Sequence, residues 1–139
     1  MRAQPLIAVQ DVEASTRWYQ RLLGCESTHG GTEYERLTAD NEVILQIHDW
    51  GTDDDHANLG DPNAGNNGNG VLLWFEIDDF DDAITRVEEL QAEIVLKPHR
   101  NPARGDPGGP ANRQCWIRDL DGYTVVLASP DGEAWSTET

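Results

Sequence analysis

Lysine is almost missing from this chain: Lys97 is the only one. With 26 Asp and Glu against 10 Lys and Arg, the formal net charge is −16. Nucleic acids and anionic membrane surfaces are held by clustered Lys and Arg, so neither is expected as a partner. The bland consequence of such a charge is a well-solvated acidic surface. A surface rich in Asp and nearly free of Lys would also suit high salt, and composition leaves both readings open. Long apolar runs are missing too. No stretch approaches the roughly 18 apolar residues of a membrane span. The opening MRAQPLIAVQD has no basic region followed by an apolar run, so no export signal is expected. Cysteine is scarce. Cys25 and Cys115 fit a reduced cytoplasmic protein with two ordinary thiols, and their spacing gives a disulfide no support.

What is present is enough for a core. The hydrophobic share of 37% is low, but five Trp, three Tyr and two Phe offset it, because each aromatic ring buries a large area. A chain of 139 residues suffices for one domain and is short for two ordinary ones.

Residues 6–9 read as a short buried strand. Asp11 then offers an acceptor to the open amides of a helix, and Glu13 suits the positive end of its dipole. Val12, Ser15, Tyr19, Leu22 and Leu23 fall on one helical face, and Gly24 ends the helix. Strand-like segments follow at 25–29, 33–38 and 42–48, with hairpin chemistry at Ala39-Asp40-Asn41. Residues 49–70 are too polar and too rich in Gly and Asn for a core element, and are expected as a flexible loop that crosses between two halves.

The same grammar then restarts. Residues 71–77 read as a strand and Asp79 as a helix cap, with Asp81 and Asp82 in the first turn. Phe80, Ala83, Ile84, Val87 and Leu90 form the apolar face. Residues 94–96 read as a strand and 99–112 as a second long loop. Strands at 114–118 and 123–128 flank the turn Asp119-Leu120-Asp121-Gly122. Sliding the chain on itself by 68 residues pairs Val9 with Ile77, Asp11 with Asp79, Val12 with Phe80 and Leu22 with Leu90. That is a divergent internal repeat.

Ile7-Ala8-Val9-Gln10-Asp11-Val12-Glu13-Ala14-Ser15-Thr16-Arg17-Trp18-Tyr19, running into Leu22-Leu23-Gly24, resembles the opening strand and helix of a glyoxalase-type module. Arg118-Asp119-Leu120-Asp121-Gly122-Tyr123 is similar to the Asp-Pro-Asp-Gly-Tyr turn before that family's last strand, with Leu120 in place of Pro. With Phe75-Glu76-Ile77-Asp78-Asp79-Phe80, the resemblance to the glyoxalase/bleomycin resistance protein/dioxygenase superfamily (vicinal oxygen chelate fold) covers nearly everything but the two long loops. It implies an α+β fold: two βαβββ modules whose curved mixed sheets enclose a cleft. The expected layout is a single domain over 1–139, with halves at about 1–50 and 71–130 joined by the 49–70 loop.

The resemblance also implies a divalent metal, held by His, Gln or Glu on the first and last strands of each module. The first-strand positions fall at Gln4 and Leu72. The last-strand positions fall at Leu45, or at Gln46 if the register slips by one, and at Val126. Leu72 and Val126 have no electron pair to donate, and two amide oxygens hold a divalent ion poorly. No cofactor is therefore expected.

Alternation puts Leu72, Trp74 and Glu76 on one strand face, and Gln46 with His48 on another. Two readings stand for Trp74 and Glu76: an aromatic wall with a carboxylate for a cationic or hydrogen-bonding ligand, or a core tryptophan with a solvated strand end. His48 and His99 each precede a long loop. They read as a general-base pair, a displaced metal pair or ordinary polar residues at loop mouths. His29 and His56 are weaker candidates. Asp53-Asp54-Asp55 lacks the alternating ligands and central Gly of a calcium loop. Arg113 and Arg118 flank Trp116. An inward Arg would clamp an anion, while Arg118 is better placed to anchor the 119–121 turn.

Three functions follow. The first is a metal-independent small-molecule-binding protein of the resistance or sequestration type, a homodimer as the resemblance implies, with Gln46, His48, Trp74, Glu76, His99, Arg113 and Trp116 as candidate ligand contacts. The second is a metal-dependent lyase or dioxygenase-type enzyme with a site relocated to His48, Glu76 and His99. The third is an interaction domain whose cleft is filled by Leu45, Leu72 and Val126. The first is the expectation carried forward.

Overall fold

The computed structural model describes residues 1–51, 59–101 and 111–132. The chain divides into two compact units, Met1–Asn67 and Gly68–Thr139, and the boundary falls inside the expected crossover.

The first unit runs β1 (Leu6–Ala8), α1 (Val12–Leu23), β2 (Glu26–Ser27), β3 (Tyr34–Ala39) and β4 (Glu42–His48). Its sheet has the order β1-β4-β3-β2, with β1 parallel to β4 and the other pairs antiparallel. Asp11 caps α1 by accepting from the Ala14 amide at 3.0 Å, and Gly24 closes it at φ 68°, a conformation that costs a residue without a Cβ little. The predicted face of α1 is buried, with Trp18 and Thr16 added to it and Leu23 half-buried at its edge. This face packs on β3 and β4, whose alternate residues Leu37, Leu45 and Ile47 are fully buried with it. The β3–β4 turn has both Asp40 (φ 50°) and Asn41 (φ 64°) in the left-handed region, which matches the twist of a tight hairpin.

The second unit repeats the plan: β5 (Leu72–Glu76), α2 (Phe80–Glu89), β6 (Glu93–Asn101), β7 (Asn112–Arg118) and β8 (Thr124–Ala128). The order is β5-β8-β7-β6, again with the first strand parallel to the last. Ala83 and Val87 of α2 and Val125, Leu127, Ile117 and Cys115 of the sheet are buried. Gly68 opens the unit at φ 70°, where an added Cβ would stand 2.6 Å from the Tyr123 ring.

Two expectations need correction. Asp79 occupies the N-cap position of α2 but makes no side-chain capping bond. Its φ of −99° and ψ of 52° depart from extended geometry, and its carboxylate is taken by Arg86 at 3.0 Å. The segment at 94–96 is also longer than expected: β6 continues to Asn101, so His99 lies in a strand rather than a loop. Pro98 misled the reading. As the edge strand of its sheet, β6 tolerates a missing donor, and register shifts on both sides of Leu96 absorb the irregularity. Asp53-Asp54-Asp55 and His56 lie outside the described residues.

Candidate functional site

Strand register sorts the candidates by face. In the first unit, Leu6 pairs with Gln46 and Gln46 with Arg36, while Ala8 pairs with His48 and His48 with Tyr34. These residues share the sheet face turned away from α1. Gln46 is bonded at both ends there: its Oε1 accepts from the Tyr34 hydroxyl at 2.5 Å and its Nε2 donates to the Gln4 carbonyl at 2.9 Å. His48 is buried, with Nδ1 at 2.7 Å from the Asp49 carbonyl and 3.1 Å from the Asp49 carboxylate. The His29 ring meets the Tyr34 ring edge-on at 4.9 Å.

In the second unit, one row of the sheet reads Trp74, Val126, Trp116 and Leu96 across all four strands. The row toward the C-terminal end of β5 reads Glu76, Ala128, Gln114 and His99. The row on the other side reads Leu72, Thr124, Arg118 and Glu93. This face points away from α2, because the opposite parity carries Arg113, whose guanidinium lies 4.6 Å over the Phe80 ring of α2. Trp74 is 45% exposed, and Leu72, Glu76 and Leu96 are exposed as well. A core role for Trp74 is thereby removed.

Trp116 is half-buried and held in place. Its indole N–H donates to Gln114 Oε1 at 3.0 Å, and Gln114 Nε2 donates to Asn112 Oδ1 at 2.8 Å. Gln114 is 1% exposed and Asn112 is buried, so this is a relay inside the protein that fixes the ring. Trp74 and Trp116 stand on strands separated by β8, roughly 10 Å apart by strand spacing. The fully buried Val126 lies between them. The result is two indoles flanking a buried valine, with the Glu76 carboxylate one step along β5.

Other candidates fall elsewhere. Arg113 is not an inward clamp: it faces α2, where it also binds Asp81 at 2.7 Å. Arg118 anchors the turn, donating to Thr124 Oγ1 at 2.8 Å and to the Gly122 carbonyl at 3.3 Å. Glu76 and His99 end the same row, but three strand spacings put them roughly 14 Å apart, too far to share one ion. His48 belongs to the other unit. Among the described residues no group of three His, Cys, Asp or Glu could hold a metal.

The register also settles the slip left open above. Leu6 and Trp74 are equivalent by the 68-residue offset, and their partners are Gln46 and Val126. Gln46, not Leu45, therefore stands at the ligand position, while Leu45 is fully buried on the face toward α1. The four positions thus hold two amides and two hydrocarbons, and both polar ends of the Gln46 amide are already bonded. This donor set does not fit a divalent metal.

Sequence reasoning missed Glu35. Its carboxylate is 2% exposed and accepts from the Ser27 hydroxyl at 2.5 Å and from the amides of Arg36, His29 and Gly30 at 2.7–2.9 Å. Burial pushes its pKa up, but these bonds outweigh it and hold the carboxyl below its ordinary range. A single Glu in an alternating strand carries no signal of such a nest.

Comparison with known proteins places this geometry. A protein from the mobile metagenome of V. Pseudocholerae superposes with a TM-score of 0.65 at 24% identity, covering 94% of both chains. Lactoylglutathione lyase from Agrobacterium tumefaciens gives 0.66 at 19%, covering 98% of this chain and 96% of its own. The fosfomycin resistance protein FosX from Listeria monocytogenes, in complex with Mn(II) and sulfate, gives 0.65 at 15%, covering 93% and 89%. At such identities the likeness is one of fold. The sequence profile of the Glyoxalase/Bleomycin resistance protein/Dioxygenase superfamily matches residues 3–127. With two βαβββ units in that order, the chain belongs to the Glyoxalase/Bleomycin resistance protein/Dioxygenase superfamily.

Proposed function

We propose that this protein binds a planar, cationic small molecule without a metal, on the open sheet face of its second unit. The observation that carries the reading is the row Trp74–Val126–Trp116 with Glu76 beside it. An exposed indole and a half-buried, fixed indole offer stacking and apolar contact, and a carboxylate at the edge supplies the counter-charge. The overall charge of −16 favours the approach of a cation. Resistance proteins are among the structural neighbours, and sequestration of a toxic small molecule is a function that needs no reacting group.

A homodimer in the cytoplasm belongs to the same proposal. Sedimentation velocity at micromolar concentration reads the assembly directly. Cys25 and Cys115 are buried and unbridged, as suits a reducing compartment.

Proflavine, a flat cation, tests the binding reading by quenching of tryptophan fluorescence. Saturable quenching at micromolar concentration is expected. Trp74→Ala should weaken it about tenfold or more, since base-like stacking on an aromatic ring is worth ~1–3 kcal/mol, and Glu76→Gln should weaken it less. Wild-type affinity in both variants would remove the proposal.

A further inference from the structure

On the opposite side of the second unit's sheet, a depression of about 280 Å³ lies between α2 and the β6–β7 edge, lined by Phe80, Asp81 and Ile84 of α2, the 98–100 stretch of β6 and Arg113. Its size falls just below the roughly 300–1,000 Å³ typical of small-molecule sites. Arg100 and Arg113 are direct cross-strand partners. Like charges in that relation repel, so a pair kept there calls for compensation. Among the described residues each guanidinium meets one carboxylate. Arg100 meets Asp131 at 2.9 Å and Arg113 meets Asp81 at 2.7 Å, but the two carboxylate side chains are 47% and 82% exposed. Exposed pairs of this kind are weak. Arg100 spends a further N–H on the Ala111 carbonyl at 2.8 Å. Arg113 gives one N–H to Asp81 and stacks on Phe80, which leaves it donors of its fixed fork for a second acceptor. Beside these charges, Ile84, Pro98 and Phe80 line the depression with hydrocarbon.

We propose that this depression is a second ligand site, for a small organic anion with an apolar body. The carboxylate or a similar oxyanion sits on Arg113 and lowers the repulsion from Arg100, and the body lies on Ile84 and Pro98. Asp81 is its internal competitor, because ligand and Asp81 draw on the same guanidinium. The site is distinct in face, charge and ligand from the tryptophan row.

The test is a titration of the whole chain with 2-naphthoate, followed by amide chemical shifts, with 2-naphthalenemethanol as the neutral counterpart. Saturable shifts at Phe80, Ile84, Arg100 and Arg113 are expected with the acid, and at most a tenth of that affinity with the alcohol. Arg113→Gln should weaken binding about tenfold, Asp81→Asn should strengthen it severalfold, and Trp74→Ala should leave it unchanged. Arg113 also packs on Phe80, so Asp81→Asn, an isosteric change at a side chain 82% exposed, is the variant that reads the site without removing that packing. Absent or non-saturating shifts overturn the proposal, as does equal binding of the alcohol. An Asp81→Asn variant that binds no better than wild type overturns it as well.

Discussion

Glu35 shows what one side chain contributes to the unit around it. Four donors converge on its carboxylate, and the three from Ser27, His29 and Gly30 tie the 27–30 segment to β3. Because its folded pKa is held below the ordinary carboxylate range, its stabilisation is complete above the unfolded pKa and is lost as pH falls through the folded one. Glu35→Gln leaves buried donors short of an acceptor and should cost about 1–3 kcal/mol at neutral pH. Urea unfolding of both proteins across pH should show that difference shrink in acid; a difference independent of pH would contradict the assignment. Nothing in the sequence marked this residue. Alternation placed Trp74 and Glu76 on one face from sequence alone. It could not say whether that face is core or open, because burial depends on what covers the sheet. Arg113 was misplaced for a related reason: its neighbours in sequence, Gln114 and Trp116, sit on the other face.

At the scale of elements, the two halves run the same program with different local chemistry. Asp11 and Asp79 are equivalent in the repeat and both precede a helix. Only Asp11 caps, while Asp79 pairs with Arg86 in a half-exposed bridge. Asp11→Ala should therefore destabilise by about 1 kcal/mol, and Asp79→Ala by less, since an exposed pair is worth ~0–1 kcal/mol. Thermal melts of the two variants decide this; equal losses would mean that the capping geometry is not what holds α1. Helices and hairpins were legible because caps, left-handed turn residues and apolar spacing are local signals. The length of β6 was not. An edge strand is set by pairing with β7, and Pro98 reads locally as a break. The equivalence of Gln46 and Val126 also needed pairing. The offset grows from 68 residues at β1 and β5 to 80 at these two, so a fixed slide along the sequence lost the register.

Across the whole molecule, 26 acidic residues against 10 Lys and Arg leave a self-repulsion that salt screens. Debye lengths fall from ~10 Å at 0.1 M to ~3 Å at 1 M. The melting temperature should rise by several degrees from low salt to molar potassium chloride; a flat or falling trend would show that the acidic side chains are locally compensated. No described helix is long and apolar enough to cross a membrane. The family was legible because its order of elements is repeated twice in one chain. The ligand was not, because the positions at which relatives are expected to hold a metal carry Gln4, Gln46, Leu72 and Val126 here. Their chemistry indicates what the site is poorly suited to hold, and the tryptophan row supplies the positive argument.

The most direct test of metal-independent binding is the proflavine dissociation constant, measured once in excess chelator and once after loading with manganese. The account predicts micromolar affinity that is the same in both. Binding that appears only in the manganese-loaded protein would contradict it and return the chain to the metal-dependent branch of its family.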